Sequence, residues 1–98
     1  MKYLDLVYVE WSDQAQKWKM DDWKKWIEDH QALCKKEKVK LLWEGIPYTT
    51  VESGAFFYET DLELTEFHMF KAKVFDLDGG GFIKYGNTHI FMTYPFNF

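Results

Sequence analysis

The chain has 98 residues, 47% of them hydrophobic and 20% aromatic, and a formal net charge of −4. Its twelve cationic residues are all lysines, so the planar guanidinium fork that suits phosphate is missing, and with the acidic balance this argues against nucleic-acid binding. No uninterrupted apolar run approaches the ~20 residues of a membrane span, and a lone cysteine, Cys34, makes no internal disulfide.

The length suits a single domain, expected to span residues 1–98. A domain this small buries only about 60–65% of its unfolded surface, so a partner that covers more would help it. The lone thiol, and a first segment (Met1–Trp11) with Asp5 and Glu10 but no cleavage-site pattern, imply a soluble, cytoplasmic protein.

Tyr3 to Trp11 reads as the first strand. Val7, Val9 and Trp11 alternate with Leu6, Tyr8 and Glu10, and both faces are largely apolar. Such a strand needs cover on both sides. Asp5 interrupts the odd-numbered face and is expected at the strand's end. Ser12 to Met20 is polar apart from Trp18, and suits either a loop or a helical lead-in. Asp21 and Asp22 open a helix that runs to about Lys38. Trp23, Trp26, Ile27, His30, Leu33 and Cys34 lie along one face of it, and Lys35, Lys36 and Lys38 favour its C-terminal end.

Val39 to Ile46 is the second strand, with Leu41 and Trp43 opposite Leu42, and Ala55 to Glu59 is the third. Thr60 and Glu63 then have the T-x-x-E spacing of a capping box, which starts a second long helix. Leu64, Phe67, Phe70 and Val74 form its apolar stripe, His68 sits on the flank, and the Lys71 amine is expected to reach water past its own stem. Asp76 to Gly81, with three glycines in a row, ends the helix. Phe82 to Tyr94 is the last strand region, which Gly86-Asn87 is expected to fold into a small hairpin. The apolar tail Pro95–Phe98 is expected to dock on its own domain or on a neighbour.

The order β-α-β-β-α-β implies a ferredoxin-like α+β fold, with a four-stranded antiparallel sheet and two helices on one face. The passage Tyr58 to Leu77, a strand followed by Glu-Thr-Asp, a helix and Phe-Asp-Leu, resembles small uncharacterised stand-alone members of the dimeric α+β barrel superfamily. That resemblance implies a homodimer in which two sheets close face to face. It also implies a ligand held between helices and sheet.

His30 and Cys34, one helical turn apart, and His68 from the second helix are the titratable groups placed to approach such a cavity. Tyr8, Trp43, Tyr58 and His89 are the strand side chains placed to wall it. The expected ligand-binding residues are therefore His68, His30, Trp43, Tyr58 and Tyr8, around a small apolar or aromatic molecule. No metal is expected, because no second coordinating pair such as C-x-x-C joins the histidines. No cofactor is expected either. The superfamily's haem-degrading members use a helix histidine for which His68 is the one counterpart, but the Asn and Trp that accompany it have none. Two other readings compete: a non-catalytic assembly protein that uses its aromatic surfaces, and a cofactor-independent monooxygenase- or isomerase-like enzyme. No phosphate-binding glycine motif and no G-x-S-x-G elbow is present.

Overall fold

The computed structural model describes residues 2–48 and 50–95. Strand β1 (Tyr3–Trp11) leads through the single-turn helix α1 (Asp13–Gln16) into helix α2 (Met20–Lys36). Strands β2 (Lys40–Gly45) and β3 (Gly54–Thr60), helix α3 (Leu64–Phe75) and strand β4 (Ile83–Met92) follow. All strand pairs are antiparallel, in the spatial order β2-β3-β1-β4. The two long helices are the crossovers of a ferredoxin-like α+β fold, as the element order implied.

Both helices cover one face of the sheet. Phe56 and Tyr58 of β3 meet Trp26 and His30 of α2 on one side and Phe67 and Phe70 of α3 on the other. Val7 and Val9 of β1 complete this core, which is dominated by large rings. Each such ring contributes roughly 1.5–3 kcal/mol by leaving water.

Several local expectations are revised. Of the two forms expected for Ser12 to Met20, the helical lead-in is the one present: Ser12 Oγ accepts the Ala15 N–H at 3.2 Å and starts α1. Trp18 then packs against Trp23 and Phe82. The Thr60–Glu63 capping box does not form. Thr60 is still in β3, its Oγ1 accepts the Leu62 N–H at 3.0 Å, and α3 begins later, at Leu64. Glu63 instead pairs with Lys2. The short side chain thus closes a local turn, the competing use to which Thr is suited.

Gly86-Asn87 makes no hairpin. β4 runs along β1 as one strand, with Val9 opposite Gly86 and Tyr8 opposite Asn87, and its register shifts only between Glu10 and Trp11. Glycine serves a close approach here: a Cβ at Gly86 would lie 2.9 Å from Cζ of Phe75, whose ring lies over the strand. The tail expectation concerns Pro95–Phe98, of which Phe96, Asn97 and Phe98 lie outside the described residues.

Asp5 is not at a strand end. It pairs with Tyr58 and Ile90 within β1 and has no exposed surface. Its Oδ2 accepts from Lys71 Nζ at 2.9 Å, and its Oδ1 accepts from the Thr88 hydroxyl. Lys71 therefore does not reach water; it is 8% exposed and lies 5.0 Å from the centre of the Phe67 ring.

The other sheet face carries no helix. Trp43, Phe57, Leu6 and His89 stand in one row across all four strands. Tyr8 meets both Phe57 and His89 edge-on, and the Trp43 and Phe57 ring centres are 5.0 Å apart.

Candidate functional site

Helix α2 places His30 and Cys34 on its buried face, one turn apart, toward β2 and β3. The irregularity of β2 between Leu41 and Trp43 then decides what they meet. Leu41 pairs with Tyr58 and Glu44 with Phe56, so both point to the helices, whereas Trp43 pairs with Phe57 and points away. Strict alternation would have left Glu44 and Leu41 on opposite faces; the extra residue of a bulge reverses the parity.

Glu44 thereby reaches His30. The three side chains Tyr58, His30 and Glu44 form one chain of hydrogen bonds. His30 Nε2 is 2.6 Å from the Tyr58 hydroxyl, and His30 Nδ1 is 3.2 Å from Glu44 Oε1. Gln31 Nε2 donates to the second carboxylate oxygen at 3.1 Å. Both Glu44 oxygens thus have a nitrogen partner. The His30 tautomer follows from its partners. One tautomer satisfies all three groups: the Tyr58 O–H donates to Nε2 and Nδ1–H donates to Glu44. Burial raises the Tyr58 pKa well above the usual phenol value, with the nearby Cys34, Asp5 and Glu44 acting in the same direction. Burial, then the Glu44 charge, push the Cys34 thiol up to about 12. Cys34 is therefore a protonated core residue and a poor nucleophile.

Beside this chain lies a groove of about 450 Å³ between the first half of α2 and the end of β2. Trp11, Trp23, Trp26 and Phe56 supply its aromatic walls. Met20, Ile27 and Ile46 line its open side, and Glu44 and Ser53 are polar groups that face it. The tryptophans brace one another, with Trp11 edge-on to Trp23 at 4.9 Å and to Trp26 at 5.0 Å between ring centres.

The side chains expected to form one cavity are thus distributed over three places. His30 and Tyr58 meet, but inside the core, 0% and 1% exposed. Trp43, Tyr8 and His89 share the opposite sheet face, because strand side chains alternate and Tyr8 and Tyr58 differ in parity relative to the shared register. His68 is exposed on α3, whose buried residues are Phe67, Phe70, Lys71 and Val74. One helical position separates His68 from that stripe, and it does not meet His30 or Cys34. Among the described residues, no group of three or more His, Cys, Asp or Glu side chains is arranged to hold a metal ion. The sequence reading missed Glu44 and the Trp11–Trp23–Trp26 wall. Trp11 ends the core face of β1, and Trp23 and Trp26 begin the core stripe of α2, which was the available signal.

Among the described residues, no helix is long and apolar enough to cross a membrane. No family model and no curated protein matches the chain. Among solved structures, an uncharacterised NIPSNAP-domain protein from Burkholderia xenovorans is similar, with 7% identity and a TM-score of 0.57 over 97% of each chain. A protein from Agrobacterium tumefaciens is similar at 13% identity and a TM-score of 0.56, over 98% of this chain and 96% of that one. At these identities the likeness concerns the fold, and the chain shares the α+β fold of both proteins over nearly its whole length.

Proposed function

We propose that the protein binds a small, largely apolar or aromatic molecule in the groove between α2 and the sheet, and that it works as a homodimer. The observation that carries the binding reading is the groove itself. Its volume, about 450 Å³, falls in the range of small-molecule sites, and aromatic walls with a few polar groups are the usual composition of such sites. His30 and Tyr58 act from behind the wall, holding Glu44 in position. The outer sheet face supports the dimer. An antiparallel sheet with one face to water is normally polar on that face. Here it carries Leu4, Leu6, Tyr8, Phe57, Trp43 and Phe91, the last two 42% and 53% exposed. Contiguous apolar surface of this kind marks interfaces, and a two-fold contact lets one patch cover itself.

Binding is tested by tryptophan fluorescence with 2-naphthol as a neutral aromatic probe. Saturable quenching is expected, and Ile27→Arg, which puts a long cationic chain at the groove's open side, should abolish it. Unchanged binding by Ile27→Arg would place the probe elsewhere. Sedimentation equilibrium tests the dimer: the native chain should be dimeric and Trp43→Glu monomeric. A native monomer at micromolar concentration removes the dimer and leaves the groove reading intact.

A further inference from the structure

We infer that the groove is built for an organic cation: a protonated or quaternary amine on a small apolar body, with its charged head on Glu44. The inference rests on the small-molecule reading above and names the ligand class.

Glu44 is the one charged side chain among the described residues that line the groove. Its side chain is 15% exposed, so it is largely removed from water yet accessible from one side. The chain contains twelve lysines, but among the described residues none forms an ion pair with Glu44. The group that does touch it is the His30 imidazole, whose Nδ1 lies 3.2 Å from Glu44 Oε1 and whose Nε2 faces the Tyr58 hydroxyl. A largely desolvated carboxyl group is thus held in place by His30 and Gln31, with no lysine paired to it among the described residues. Two N–H groups use about half of the lone-pair sites on a carboxylate. The remaining sites suit the donors of an ammonium group.

The walls favour the same occupant. Indole faces attract cations, tryptophan most strongly of the aromatic side chains, and the half-buried Trp11 and Trp23 line this groove beside the fully buried Trp26. The first turn of α2 would offer partial positive charge, but Asp21 and Asp22 stand there and offset it. An anion of the same shape would meet Glu44 and the negative ring faces with no cation to receive it.

A matched set of probes tests this: 2-phenylethylamine, 2-phenylethanol and 3-phenylpropanoate, each titrated by tryptophan fluorescence at neutral pH. The amine is expected to bind about tenfold more tightly than the alcohol, and the carboxylate most weakly. Glu44→Gln, with its fold checked by circular dichroism, should remove most of the amine's advantage and leave the alcohol nearly unchanged. Equal binding of amine and alcohol by the native protein would overturn the cation inference while keeping the groove. An amine preference that survives in Glu44→Gln overturns Glu44 as the seat. No saturable binding of any probe, nor of 2-naphthol, overturns the groove reading itself. The comparison on the native protein holds even if Glu44→Gln fails to fold.

Discussion

Asp5 and Lys71 meet in the interior, 66 residues apart in the chain, at 2.9 Å. Two charges taken from water gain little overall from pairing, but leaving one behind is expensive. Lys71→Met alone should therefore cost about 3–5 kcal/mol, because Asp5 stays buried with only the Thr88 hydroxyl. The double variant Asp5→Leu/Lys71→Met should recover most of that loss, and denaturant unfolding of both variants reads the difference. If the double variant is as unstable as the single one, the pair is not the unit of cost. Neither residue's role was legible locally. A lysine beside a helical apolar stripe normally extends to water, and an aspartate on a strand face normally lies at its edge. Each is kept inside by the other, a relation that one-dimensional spacing does not contain.

At the scale of elements, the strands and long helices were readable because hydrophobic period reports them directly. Boundaries and parity were less so. The start of α3 moved because Thr60 closes a turn within the strand end, and the bulge in β2 brought Glu44 to the helices. The glycine run after α3 was read correctly as a stop. A single 3-10 turn, Leu77–Gly79, follows the helix, and Gly80 beyond it has φ 83° and ψ −176°, a region open essentially to glycine alone. Gly80→Ala should thus cost about 1–3 kcal/mol, measured by thermal or denaturant unfolding. No loss of stability would mean that this connection relaxes freely.

For the whole molecule, burial of the Cys34 thiol and Tyr58 hydroxyl links stability to alkaline pH. Both keep their protons longer in the fold than in the unfolded chain, where ordinary values are 9.0 and 10.0. Above about pH 9 the unfolded state releases protons first, and stability falls as pH rises toward the folded values. The urea midpoint should be level below that point and decline from about pH 9 to 12. Cys34→Ala should make the decline shallower. A midpoint constant over this window would remove both groups as buried acids.

By itself, the sequence determined the order of elements, the ferredoxin-like fold and the presence of apolar residues on both faces of β1. These follow from local spacing, which each segment carries regardless of its neighbours. It also brought His30 and Tyr58 into consideration, though not what they bond. Only the tertiary structure decided that Tyr8 and Trp43 lie on one side of the sheet and Tyr58 on the other, that His68 faces away, and that Glu44 completes a chain with His30. The physical reason is that a site is made by register and packing between distant segments. A bulge of one residue, or one step around a helix, exchanges the face on which a side chain stands.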